Sequence, residues 1–219
     1  MTPSFWLERW ARGETGFHLP AVNPHLMQYW PHLQLPHGAR VLVPLAGKSV
    51  DLAWLRAEGF VVTAIDVSPL AAEAVFGALG VTPLRSRHAD FEVLAIPGLR
   101  FLVGDFFAAT AALVGQVDAV YDRAALIALP PDRRPAYAAQ LSGLQGAGAR
   151  SLLVGFEYAQ TEMHGPPFAV HAAEVRALFG ATHAIESLAH VDILDEEPKF
   201  RARGISALVE RLYALRRTG

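Results

Sequence analysis

The sequence predicts an α/β chain, with a mostly parallel sheet and helices on both of its faces. Three observations carry that expectation. From residue 40 onward, short β-branched apolar runs alternate with helix-like segments, the pattern of β-α-β crossovers. Several runs close on an acid, at Asp66, Asp105 and Asp122, and open α/β sheets collect their ligands outside the carboxyl ends of the strands. With 219 residues, 52% of them hydrophobic, the chain is long enough for one full-sized domain and short for two. A single domain over residues 1–219 is expected, with residues 1–38 as an extension of different character.

That extension holds Trp6, Trp10 and Trp30 and no clear strand. Within it, NPHLMQYW reads as a short helix, because Asn23 can accept from the free amides of the first turn and Pro24 suits the first helical position. RVLVPL (40–45) is a buried strand, residues 49–58 are helical, and FVVTAID (60–66) is a second strand. SPLAAEAVFGALG (68–80) is a helix capped by Ser68, opened by Pro69 and stopped by Gly80. LRFLVGD (99–105) and QVDAVYD (116–122) are further strands. Prolines open a helix in PPDRRPAYAAQLSGL (130–144), and Pro135 confines its regular part to the later residues. RSLLVGFEY (150–158) is a strand, HAAEVRALFG (171–180) a helix ending at Gly180, and HAIESLAHVDIL (183–194) a strand. In GISALVERLYALRR (204–217), Ile205, Leu208, Val209, Leu212 and Tyr213 share one helical face, so periodicity favours a helix there.

The turn between the first two strands bears on the ligand. Its GKS suggests a phosphate loop, but such a loop needs a glycine five positions before Gly47, where Leu42 stands. Pro44 also lacks an amide that the loop would aim at phosphate. The three-glycine dinucleotide fingerprint is absent as well. What remains is a strand, a glycine turn at Gly47, a helix, and a second strand ending on Asp66, 19 residues after Gly47. In nucleoside-binding sheets an acid at that distance bonds ribose hydroxyls. One glycine leaves little room for a pyrophosphate, which suits a nucleoside without phosphates such as S-adenosylmethionine. Leu45, Gly47, Asp66, Gly104, Asp105 and Arg123 all fall at strand ends, so one edge of the sheet is expected to gather them. Arg123 reads equally as a surface ion pair with Asp122 or Asp132.

Composition removes other classes. The chain has no cysteine, so disulfides, thiolate metal sites and a thiol nucleophile are excluded. His18, His25 and His32 are spaced by seven, but Pro24 and Pro31 break any helix through them, and no metal is expected. Net charge is −2 without a basic block, so nucleic acid is not expected as a partner. No apolar run approaches the roughly 18–20 residues of a membrane span. MTPSFWLERW lacks the smooth apolar core of a signal peptide. A cytoplasmic monomer is expected.

FWLERWARGETGFH, NPHL, GARVLVPLAGKSVDLAWL, GDFF, YDRAALIALPP, GPPF and RGISALVERLYAL run through nearly the whole chain. Together they resemble the thiopurine S-methyltransferase family, its bacterial members in particular. The resemblance implies a Rossmann-like class I methyltransferase fold with a seven-stranded sheet, S-adenosylmethionine as cofactor, and a last segment that is an antiparallel strand rather than a helix. Carried over by position, it implies cofactor contacts at Trp10, Leu45, Asp66 and Arg123, and backbone contacts near adenine at Gly104 and Asp105. It puts Phe17 on the substrate side and makes Lys199 the basic position near the C-terminus. Ala46 stands where the family usually has cysteine, and Asp66 where it often has glutamate.

The activity this implies is S-methylation of thiopurines or other aromatic and heterocyclic thiols. Residues 1–38 would cover cofactor and substrate, Trp6, Trp10 and Phe17 would form an apolar wall, and Arg123 would hold the cofactor carboxylate or orient an anionic substrate. No dedicated base is evident. EMHGPPF (162–168) reads equally as an overhang on the substrate and as an ordinary proline-rich loop. The competing readings are methylation of selenium or tellurium oxyanions, of halide or thiocyanate, and a noncatalytic nucleoside-binding module.

Overall fold

The computed structural model of the chain describes residues 2–16 and 18–219. Helix α1 spans Pro3–Ala11; α2 spans Pro24–Tyr29 and runs into a 3-10 turn at Trp30–Leu33. Asn23 caps α2, its side chain accepting from the amides of His25 and Leu26. Then come β1 (Arg40–Pro44), α3 (Asp51–Ala57), β2 (Val61–Asp66) and α4 (Pro69–Ala78). Ser68 caps α4 by accepting from the Ala71 amide. Strands β3 (Leu84–His88), β4 (Phe91–Ile96) and β5 (Leu99–Val103) follow, then α5 (Ala111–Val114) and β6 (Ala119–Arg123). The rest of the chain forms α6 (Arg134–Leu144), β7 (Arg150–Glu157), α7 (Ala172–Phe179), β8 (His183–Asp192), α8 (Pro198–Arg201) and β9 (Val209–Arg217). Pro135 falls in the first turn of α6, where its missing amide costs nothing, so the helix is regular from Arg134.

The chain divides into two units, Met1–Tyr121 and Asp122–Gly219, with the boundary inside β6. In the first, the strand order is β3-β4-β5-β2-β1-β6. Strands β5, β2, β1 and β6 run parallel, so their carboxyl ends emerge on one side. β1 and β2 register Arg40 with Val61 through Pro44 with Ile65, which sets the turn after β1 beside the end of β2. In the second unit the order is β7-β9-β8, with β9 antiparallel to both neighbours.

Two further expectations need correction. The helix favoured by periodicity over 204–217 is strand β9. Leu212 and Tyr213 are adjacent, so they point to opposite faces of a strand, and both are buried. β9 carries apolar residues on both faces between its charged positions, and such residues can mimic a helical stripe. The strand count is nine among the described residues rather than seven. The expected seven are β5, β2, β1 and β6 in the first unit and β7, β9 and β8 in the second; β3 and β4 add an antiparallel pair beyond β5. No helix among the described residues is long and apolar enough to cross a membrane.

Candidate active site

The turn after β1 is tight. Leu45 has φ 47° and Gly47 φ 54°. The left-handed region is strained for a leucine and open to glycine. The Gly47 amide donates to Asp66 Oδ2 at 2.9 Å, and the Ser68 amide donates to Asp66 Oδ1 at 2.9 Å. The Gly104 amide, just past β5, donates to the Asp66 carbonyl at 2.9 Å. One residue thus knits together the β1 turn, the end of β2 and the end of β5. Asp66 is 8% exposed. Burial pushes its carboxyl up to about 6, while the Ser68 and Gly47 amides pull the other way. Each oxygen accepts one of these two amides and retains capacity for a second donor. Such a pair of acceptors fits the paired hydroxyls of a ribose.

Gly104 has a packing reason as well. A Cβ there would lie 2.4 Å from the Phe91 ring of β4, so the added strand pair closes directly on this edge. Asp105 Oδ1 accepts from the Phe107 amide at 3.0 Å and caps the 3-10 turn Phe106–Ala108. Asp105 is therefore a turn residue in fact, with its other oxygen left for a ligand.

Trp10 is buried at the end of α1, and the His18 ring centroid lies 5.3 Å from its own. The Lys48 ammonium is 5.9 Å from the Trp10 ring centre. The Lys48 amide donates to His18 Nε2 at 2.8 Å. Deeper in, Asp51 at the start of α3 accepts from the Asn23 amide at 2.8 Å and from the Tyr121 hydroxyl at 3.0 Å. Trp10, Leu45, Gly47, Asp66 and Gly104 thus belong to one connected cluster. Phe17 lies outside the described residues. His18, Lys48 and Asp51 were missed as site residues. Their partners are distant in sequence, and the signal available was that all three sit inside segments that carry the family resemblance.

In the second unit, Arg123 ends β6, half-buried, and its side chain makes no hydrogen bond or ion pair with another described residue. The surface ion pair with Asp122 or Asp132 is not formed. Asp122 turns inward instead, accepting from the Tyr137 hydroxyl at 2.8 Å and the Leu126 amide at 3.1 Å. Burial pushes its carboxyl up to about 6 against those two bonds. The EMHGPPF segment is pinned. Gln160 donates to the Met163 carbonyl and accepts from the Ala169 amide, and the Tyr158 hydroxyl donates to the Pro167 carbonyl at 2.6 Å. The Phe168 amide reaches the Ile127 carbonyl at 2.7 Å, which ties this loop to the segment that follows Arg123. Lys199 is 52% exposed and ion-pairs with Glu197 at 2.9 Å. Among the described residues no group of three or more metal-ligating side chains is assembled.

Known proteins share this fold. A methyltransferase of Burkholderia thailandensis, solved with 1,6-didemethyltoxoflavin and S-adenosylhomocysteine bound, superposes with TM-score 0.67 at 19% identity, covering 99% of this chain and 87% of that one. An S-adenosylmethionine-dependent methyltransferase of Thiobacillus denitrificans, in complex with S-adenosylhomocysteine, gives TM-score 0.61 at 19% identity over 98% of each chain. Those likenesses establish the class I methyltransferase fold. Closer relatives exist in sequence. A thiopurine S-methyltransferase of Nitrosospira multiformis is 47% identical over 215 residues, 98% of each chain. One of Xanthomonas campestris pv. campestris is 46% identical over 217 residues, 99% of this chain and all of that one. The profile of the family Thiopurine S-methyltransferase (TPMT) matches residues 1–218, and with relatives of near-half identity along their full length, the chain belongs to that family.

Proposed function

We propose that the protein transfers a methyl group from S-adenosylmethionine to the sulfur of an aromatic or heterocyclic thiol, thiopurines among them. The observation that carries the reading is the Asp66 carboxylate, held by the Gly47 and Ser68 amides at the end of β2, in a chain whose relatives bear the thiopurine S-methyltransferase name. The bound cofactor supplies an electrophilic methyl carbon on a positively charged sulfur.

The chain's own residues supply position and shelter. Asp66 accepts from the ribose hydroxyls. Gly47 orients Asp66 through its amide, and Leu45 lends the strained turn beside it. The Gly104–Asp105 edge takes the adenine. Trp10 and the extension it belongs to cover the ligands, and Phe17 and Lys199 are the residues assigned to the acceptor. Arg123, a permanent cation without an internal carboxylate partner among the described residues, holds the cofactor carboxylate or the acceptor anion. An aromatic thiol reacts as its thiolate, so no side chain has to remove a proton in the transition state. Alignment of two bound reactants accounts for up to roughly 7–11 kcal/mol of a barrier, which suits a site without a base. We propose a cytoplasmic monomer that works without metal.

The test is incubation with S-adenosylmethionine and 6-mercaptopurine, with the product identified by mass and by methyl position. The expected product carries methyl on sulfur. Methyl on a ring nitrogen, or no product, overturns the reading. Arg123→Lys keeps the charge and loses the planar fork, so it should retain part of the rate, and Arg123→Ala should retain less.

A further inference from the structure

We propose that His18 is a positioning residue that bolts the N-terminal extension to the Gly47 turn and keeps the cofactor edge in its binding shape. The inference rests on the reading of that turn as the cofactor site. Four observations within the first unit converge on it.

The first is the protonation state of the ring. The Lys48 amide can only donate, so His18 Nε2, 2.8 Å away, must present a lone pair. The proton then sits on Nδ1, which lies 3.1 Å from the Thr15 carbonyl. Only the neutral Nδ1–H tautomer makes both bonds. The second is the fit to Gly47. A Cβ on Gly47 would lie 2.2 Å from His18 Nε2. The missing side chain of the turn glycine therefore makes room for the imidazole. The third is the sharing of consecutive amides. Gly47 gives its amide to Asp66 and Lys48 gives the next one to His18. Asp66 and His18 grip the same turn through neighbouring donors, so losing one grip loosens the acid at the other. The fourth is the place of His18 within the extension. Among the described residues, neither helix nor strand occurs between the end of α1 at Ala11 and the start of α2 at Pro24. Packing of His18 against Trp10 joins α1 to the turn, and the Asn23–Asp51 bond anchors the far end.

The test uses the full-length protein, S-adenosylhomocysteine as probe, and two variants. His18→Gln keeps an acceptor near the place of Nε2. His18→Leu fills the space without one and strands the Lys48 amide. Calorimetry should find binding about 10-fold weaker in His18→Leu, in the range expected for an abandoned part-buried donor, and largely restored in His18→Gln. In turnover the loss should fall on the KM of the cofactor and leave the KM of the thiol acceptor in place. Tryptic cleavage after Arg12 should quicken in His18→Leu. Unchanged affinity and unchanged cleavage would make the ring a passive filler and overturn the proposal. Tighter binding would overturn it differently, by making the ring an obstruction. Nitrogen-15 spectra of the wild-type imidazole give a check that needs no variant, since an Nε2–H tautomer contradicts the bond to Lys48. Wild-type protein that binds no S-adenosylhomocysteine would sink the proposed function instead, and the cleavage rates and tautomer would still judge the bolt.

Discussion

Burial holds the Asp66 carboxyl at about 6, inside the range where methyl transfer can be assayed. The ionised form is the better acceptor for ribose hydroxyls, so S-adenosylhomocysteine affinity should weaken as pH falls through about 6. Calorimetry from pH 5 to 8 should show that bend in the wild type and none in Asp66→Asn. Asp66→Ala should weaken binding by roughly 10–150-fold, the worth of a hydrogen bond to a charged group. Asp66 was legible in the sequence because a β-branched run ends on it at a fixed distance from Gly47, and both are set by local chain geometry. His18 and Asp51 were not. Their partners lie 30 and 28 residues away, and nothing in local spacing signals a bond across such a gap. Arg123 was legible as a strand-end cation, but its choice between ligand and ion pair depended on Asp122 turning inward to Tyr137, which only packing decides.

At the scale of elements, capped helices and buried parallel strands were readable, since their signals are local. Asn23 and Ser68 sit where a cap must sit, and both accept the amides a cap should accept. Three strands, β3, β4 and β9, escaped, and β3 and β9 did so for opposite reasons. β3 is exposed along its whole length, so it carries no alternation of apolar and polar residues to read. β9 buries the adjacent Leu212 and Tyr213 on opposite faces, so its apolar residues carry no strand period. The contrast predicts unequal costs for similar changes. Leu212 is 0% exposed and Leu84 is 81% exposed. Leu212→Ala should destabilise by about 2–5 kcal/mol, and Leu84→Ala should stay within about 0.5 kcal/mol. Denaturant unfolding of the two variants checks the pair; equal losses would mean that β3 is covered in solution.

At the scale of the whole molecule, two buried acids tilt stability with pH. Asp66 and Asp122 both have carboxyls raised to about 6 from the usual carboxylate range near 3.8. A raised acid binds protons more readily in the folded state, so its contribution is complete below about 3.8 and lost as pH rises through about 6. Melting temperatures between pH 4.5 and 6.5 should therefore decline less in Asp122→Asn than in the wild type; parallel curves would mean that Asp122 is no more buried than an ordinary carboxylate. The chain's composition reaches further. Ala46 fills a buried place in the turn, and no cysteine occurs anywhere else. A catalyst for thiols meets their oxidised dimers too, and a sulfhydryl near the acceptor would be open to exchange with them through a mixed disulfide. With no sulfhydryl of its own, this protein cannot be captured that way. Its initial rate should be unchanged after incubation with the disulfide of its thiol acceptor followed by desalting, and its mass should show no adduct.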